Sequence, residues 1–190
     1  MNHMISVKIP FEFLADFCHL TWRDIEFGLS HNYISPEVAI DFACSRICDN
    51  QAPDPDELII AGCSKDDPML ERVRILAERE APTTSAADVR AKWLCILLAW
   101  LYENRATFED PLGMIEAIYT DFDYPEEIAH LIRYMPNAEP DLGSKEANLA
   151  RLFTRWAAFI SNCRQIWKKV TRTAFARGSS GNEEKEDSVN

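Results

Sequence analysis

Apolar residues recur every three or four positions along most of this chain, a spacing that predicts a series of amphipathic helices. Each predicted helix begins where a small polar residue, an acid or a proline precedes the apolar positions. The predicted starts are Pro10, Thr21, Ser35, Asp54, Asp67, Ser85, Asp110, Tyr124 and Ser144. Before the first of them, alternation of Ile5, Val7 and Ile9 predicts a very short strand.

Two of the predicted helices carry most of the expected core. The helix from Ser85 to about Glu103 is apolar on every side in its middle, which is typical of a central helix, so Leu94, Ile96 and Leu98 should be buried. A long last helix runs from Ser144 to about residue 170. The pattern therefore predicts an all-α fold, a compact multi-helix domain over residues 1–178, followed by a disordered acidic tail over 179–190.

Charge is distributed unevenly along the 190 residues, whose formal net charge is −11. Residues 1–144 carry 26 acidic and 11 basic side chains, a net −15, whereas 145–178 carry eight basic side chains and one acidic. A domain whose residues 1–144 carry a net charge of −15 repels phosphate backbones, so no nucleic-acid partner is expected. It attracts basic proteins instead.

The six cysteines and the N-terminal residues favour a cytoplasmic protein. Residues 1–8 contain no long apolar stretch of the kind found in an export signal. Cys18, Cys44, Cys95 and Cys163 lie in apolar helical runs, as small buried side chains do, so no structural disulfide is expected. The longest apolar run, 93–102, is about half of the ~20 residues that a membrane span needs, so no membrane partner is expected.

Motifs for catalysis and for cofactor binding are absent from the sequence. It contains no nucleophile elbow, phosphate-binding loop, zinc-protease motif or dinucleotide fingerprint. Cys44 and Cys48 could form half of a metal site, but no second pair completes it. We therefore predict no catalytic residue, no metal site and no cofactor, and a protein that is not an enzyme.

The segment of residues 121–127 is the candidate partner-binding site. It combines four carboxylates with two aromatic rings, and interfaces favour aromatic anchors surrounded by charge. Its candidate residues are Asp121, Phe122, Asp123, Tyr124, Glu126 and Glu127. The segment lacks the glycine and the final glutamate of a helix-loop-helix calcium site. Its acids could instead be ordinary helix-start residues, or carboxylates of a metal-dependent hydrolase that uses residues 103–141.

A basic stripe near the C-terminus leaves a further alternative open. Arg164, Lys168 and Arg172 follow one another at four-residue spacing. Such a stripe could serve an RNA-associated helper protein. Cations also suit the end of a helix that packs on an acidic body, and the charge of residues 1–144 favours that interpretation.

The sequence Leu-Thr-Trp-Arg-Asp-Ile-Glu-Phe-Gly-Leu at 20–29, followed by Tyr33-Ile34-Ser35-Pro36, resembles the N-terminal signature of a bacterial family of unknown function. The resemblance implies a mainly helical fold over most of the chain. Some members of that family resemble immunity proteins encoded beside toxins of contact-dependent growth inhibition. The resemblance therefore implies an immunity-type protein that binds and neutralises a cognate toxin. The acidic charge of residues 1–144 favours a basic toxin, a nuclease, whose nucleic-acid-binding surface such a protein occludes.

Overall fold

The structure is a computed structural model that describes residues 7–50, 52–80, 85–136 and 139–178, without the side chains of 49 and 169–178. Within these residues it is all-α, as predicted. Its α-helices are α1 (Phe11–Phe17), α2 (Trp22–Ser30), α3 (Pro36–Asp49), α4 (Pro55–Ala61), α5 (Met69–Arg79), α6 (Ala86–Glu103), α7 (Pro111–Asp121) and α8 (Lys145–Gly178). Two 3₁₀-helices cover Arg105–Thr107 and Glu126–Leu131.

The helix starts follow from local hydrogen bonding. Thr21 and Asp24 form a reciprocal capping box, in which the Thr21 N–H donates to Asp24 Oδ2 over 2.9 Å. Ser85 and Asp88 do the same at the start of α6. The side chain of Asp110 accepts from the Gly113 N–H and caps α7. These bonds satisfy N–H groups that have no partner inside their helix.

Three sequence predictions about these elements need correction. The part of the predicted N-terminal strand that is described, residues 7–9, is not a strand; Ile9 makes one backbone bond, to the carbonyl of Tyr33 at 2.9 Å. The segment after Pro125 is the short 3₁₀-helix Glu126–Leu131 rather than an α-helix, and it buries Ile128 and Leu131. Finally, α8 continues past residue 170 to Gly178. The predicted disordered tail lies outside the described residues.

Helix α6 lies at the centre of the fold and packs against α2, α7 and α8. Leu94, Ile96 and Leu98 are 6%, 0% and 0% exposed, which confirms the prediction of a central helix. Removing a buried leucine side chain typically costs ~2–5 kcal/mol of unfolding free energy. None of the described helices combines the length and apolarity that crossing a membrane requires.

Three fully buried tryptophans tie helices together through their indole N–H groups. Trp22 donates to the Glu57 carboxylate, and Trp93 donates to the Asp24 carbonyl oxygen. Trp156 on α8 donates to the carbonyl of Leu98 over 3.2 Å. A large ring that also satisfies its one polar atom contributes apolar burial without leaving an unpaired donor.

Buried charge links α2 to α6. Lys92 and Asp24 are 4% and 0% exposed, and Lys92 Nζ lies 2.6 Å from Asp24 Oδ2. The same ammonium lies 5.3 Å from the centre of the Trp167 ring on α8. Removing one partner of such a pair is destabilising because the other charge remains buried.

Cys95 on α6 and Cys163 on α8 are joined by a disulfide, so the prediction that no structural disulfide forms is wrong for this pair. Both residues are buried, as expected from their apolar runs, but the two runs pack against each other. Sequence alone does not reveal that contact across 68 positions. Cys44 and Cys48 are exposed on α3, contrary to the predicted burial of Cys44.

Candidate functional site

The segment of residues 121–127, which we call the acidic edge, runs from the end of α7 into the second 3₁₀-helix, Glu126–Leu131. Asp123 and Tyr124 both adopt left-handed backbone conformations, with φ of 58° and 60°. The Tyr124 N–H donates to the Tyr119 carbonyl over 2.8 Å, which closes the end of α7. Two successive residues of this kind reverse the chain sharply and turn its two aromatic residues in different directions.

Phe122 faces the core, so its predicted role as an exposed anchor is wrong. It is 6% exposed, its ring stacks on Tyr33 with centroids 6.5 Å apart, and the guanidinium of Arg90 lies 5.4 Å from its centroid. Replacing Phe122 would therefore leave a cavity, and any loss of binding could not be separated from a loss of stability.

Tyr124 faces solvent and is 58% exposed. Its ring meets the buried Tyr119 edge-on, with centroids 5.3 Å apart at 84°. Tyr134 is 62% exposed and lies within electrostatic range of both tyrosines. Partial desolvation, together with the nearby Glu116, Tyr119 and Tyr124, raises the pKa of Tyr134. The acidic edge thus presents the exposed Tyr124, and the exposed Tyr134 lies outside it in the chain; only Tyr124 was identified from the sequence.

Tyr134 was not identified from the sequence as a partner-binding candidate, because its neighbours in the sequence show no feature of a binding site. It lies near the end of the helix predicted to begin at Tyr124, ten positions further on, without the flanking acids that drew attention to the acidic edge. Only the return of the chain through the 3₁₀-helix brings the two tyrosines within electrostatic range of each other.

The four carboxylates of the acidic edge have different environments. Asp123 Oδ2 accepts from Arg90 over 2.5 Å. Asp121 is half-buried, and its Oδ2 has no hydrogen-bond partner within the described chain. Glu126 and Glu127 are exposed in the first turn of the 3₁₀-helix, and neither makes an ion pair with a described residue. The charge available to a partner is therefore concentrated on Glu126 and Glu127.

The neighbouring acids of α7 are neutralised by Arg133. Its guanidinium lies 2.9 Å from Asp110 and 2.8 Å from Glu116, and these hydrogen bonds raise its pKa above the ordinary value. The bond from the Gly113 N–H, followed by those from Arg133, lowers the pKa of Asp110. Both carboxylates are therefore engaged with Arg133 and are less available to another cation.

Metal binding by the acids of 103–141 would need several ligand side chains close together. Across the described ranges, no three histidine, cysteine, aspartate or glutamate side chains lie close enough together to hold a metal ion. The basic stripe is only partly described: Arg164 pairs with Glu103 of α6, and Lys168 is exposed.

Comparison with known protein families gives one match, over residues 11–164, to DUF2247, an uncharacterized protein family conserved in bacteria. No curated protein and no solved structure matches the chain. The matched range covers α1 to α7, the acidic edge and most of the described part of α8.

Proposed function

We propose that this chain, which belongs to the bacterial family DUF2247, is an immunity-type protein that binds and neutralises a cognate basic toxin, a nuclease, in the cytoplasm. The observation that carries the proposal is the acidic edge together with two exposed tyrosines. Tyr124 and Tyr134 supply aromatic area, while Glu126 and Glu127 supply charge that no cation of the described chain neutralises. A nuclease needs a basic surface to hold its substrate, and such a surface complements this edge.

The two kinds of residue have separate roles in this proposal. Aromatic side chains at an interface centre often cost 2 kcal/mol or more when truncated, since they become fully desolvated in the complex. Rim carboxylates contribute mainly to the association rate, because they attract a basic partner before contact. The left-handed pair at 123–124 fixes the position of the tyrosine before binding, so little conformational entropy is lost.

The test is co-expression with the toxin candidate encoded by the adjacent gene, followed by co-purification and binding kinetics. Tyr124→Ala should mainly raise koff, by at least about tenfold. Glu126→Lys with Glu127→Lys should mainly lower kon at low salt, and the loss should shrink as salt rises. Both glutamates are exposed without ion pairs to described residues, so the fold should be retained.

The matched control is Asp41→Lys with Glu78→Lys, which changes net charge equally on α3 and α5. These two carboxylates are also exposed. A control that lowers kon as much as the test pair would assign the effect to total charge rather than to the acidic edge. Unchanged kon and koff in the test variants would remove the edge from the interface and leave residues 54–71 as the next acidic candidate.

The alternatives make different predictions for the purified protein. A metal-dependent hydrolase would bind a divalent cation stoichiometrically through carboxylates of 103–141. An RNA-associated helper would bind RNA through the basic end of α8, with an affinity that falls steeply as salt rises. The immunity proposal requires neither.

A further inference from the structure

A groove of about 870 Å³ lies between α1, α3 and α8, outside the acidic edge. Phe17, Leu20 and Phe42 contribute buried apolar surface to it, and the half-buried Phe11 contributes a further ring. Its volume is within the range of ~300–1,000 Å³ that is typical of small-molecule sites. An apolar lining of this size favours a ligand with an apolar body.

The polar lining of the groove has the opposite charge to the rest of the protein. Arg46, Arg164 and Lys168 line it, whereas Asp16 is its one lining acid among the described residues. Desolvation lowers the pKa of His19, which also lines it, and the positive charges of Lys92 and Arg46 lower it further. Three cations thus line the groove against one described acid, and two of the three are already paired with a carboxylate.

Two of the three cations retain hydrogen-bonding capacity. The Nε atom of Arg164 is buried and has no hydrogen-bond partner within the described chain, although its guanidinium is held by Glu103 and lies 5.7 Å from the Phe17 ring centroid. Lys168 is exposed and makes no ion pair with a described residue. A buried donor without an acceptor costs free energy, and a bound anion would remove that cost.

The third cation, Arg46, is already engaged in an ion pair. Arg46 lies 2.5 Å from the buried Glu57, which also accepts from the Trp22 indole. The groove therefore offers one N–H from Arg164, whose guanidinium is held by Glu103, and one exposed ammonium from Lys168. Two donors match the two oxygens of a single carboxylate better than the three oxygens and higher charge of a phosphate monoester.

We propose that the α1–α3–α8 groove binds a small amphipathic carboxylate, with its apolar body against the phenylalanines and its carboxylate at Arg164 and Lys168. This site is separate from the acidic edge and does not depend on the proposed toxin. The Cys95–Cys163 bond supports it, since it fixes the turn of α8 next to Arg164 against α6.

Isothermal titration calorimetry of the full chain with octanoate tests the proposal. Octyl phosphate and octylammonium test the head group, and acetate tests the need for an apolar body. Octanoate should bind more tightly than all three. No binding of octanoate, equal binding of octylammonium, or tighter binding of octyl phosphate would each overturn the proposal, as would binding of acetate with equal affinity.

Variants locate the site on the molecule. Lys168→Gln should weaken octanoate binding by roughly tenfold, since it removes a charge-assisted hydrogen bond. The control Lys145→Gln removes the same charge from an exposed position at the other end of α8 and should have no effect. An equal effect of the two lysine substitutions would place the ligand elsewhere.

Two substitutions on α1 give effects in opposite directions. Ala15→Phe should weaken octanoate binding, because Ala15 lines the groove and a larger side chain would fill it. Asp16→Asn should strengthen binding, because it removes the negative charge of the one described acid that lines the groove. Both residues are exposed, so far-ultraviolet circular dichroism should remain that of the wild type. Unchanged affinity in both variants would exclude this groove as the site.

Discussion

At the scale of single residues, Gly28 permits the closest approach between α2 and α6. A Cβ atom at this position would lie 2.5 and 2.7 Å from two ring carbons of Trp93, and 2.9 Å from the side chain of Ile34. The Trp93 ring cannot move away easily, since it is fully buried and its N–H is bonded to Asp24. The absence of a side chain at position 28 is therefore a packing requirement.

We predict that Gly28→Ala lowers the free energy of unfolding by ~1–3 kcal/mol through overpacking, although alanine is the better helix former. The control is Gly62→Ala at the end of α4, where a Cβ atom would meet nothing closer than 3.6 Å. That change should be neutral or stabilising by up to ~1 kcal/mol. Chemical denaturation of both variants measures the difference. Equal midpoints for the two variants would contradict the packing argument.

The residues of the acidic edge show what single positions reveal before folding. Its acids and its exposed tyrosine were identifiable from composition, since charge and aromatic content are local properties. The inward turn of Phe122 was not, because it depends on two left-handed residues, on the Tyr33 ring between α2 and α3, and on the Arg90 guanidinium of α6. The Lys92–Asp24 pair was not identifiable either. In the sequence each residue resembles an ordinary surface charge, and only the fold shows that the two are buried together.

At the scale of elements, helix starts are the best-predicted feature of this protein. Prolines and capping residues act within one turn, so Thr21, Ser85 and Asp110 begin helices in the structure as the sequence indicates. The 3₁₀-helix at 126–131 was predicted as an ordinary helix, because both kinds place apolar residues three positions apart. Packing of Ile128 and Leu131 against the core decides between them.

The capping box of α6 gives an element-scale prediction with a defined pH dependence. Hydrogen bonds from the Ser85 side chain and backbone lower the pKa of Asp88 in the folded state. A depressed carboxyl pKa stabilises the fold above the unfolded value of about 3.9, and that contribution is lost as pH falls through the folded pKa. Ser85→Ala should therefore cost ~1 kcal/mol at pH 7.

The difference in unfolding free energy between Ser85→Ala and the wild type should become smaller below about pH 4. Protonated Asp88 is no longer a carboxylate that the serine hydroxyl stabilises. Urea denaturation at several pH values measures this difference. A difference that grows at acid pH would show that Asp88 does not depend on Ser85.

At the scale of the whole molecule, the disulfide joins the central helix to the last one. The oxidised protein should contain four free thiols after denaturation, and six would show that Cys95 and Cys163 remain reduced in the cell. Burial raises the pKa of the Cys18 thiol to about 12, so Cys18 should react slowly before denaturation. The cytoplasmic proposal makes this measurement informative, because structural disulfides are rare in that compartment.

Closing a loop of 68 positions restricts the unfolded chain. Replacing both Cys95 and Cys163 with alanine should lower the free energy of unfolding by ~2–4 kcal/mol. The matched control replaces the exposed Cys44 and Cys48 with alanine and should have little effect. Thermal denaturation without reductant compares the two; equal losses would mean that the cross-link does not stabilise the fold.

The three buried tryptophans allow unfolding to be followed by intrinsic fluorescence. Their indoles report on different junctions: Trp22 between α2 and α4, Trp93 between α6 and α2, and Trp156 between α8 and α6. Native emission should therefore lie toward short wavelengths and shift to the red as water reaches the rings. If the helices unfold as one cooperative unit, this shift and the loss of helical circular dichroism will coincide. A groove ligand that stabilises α8 would move both transitions together.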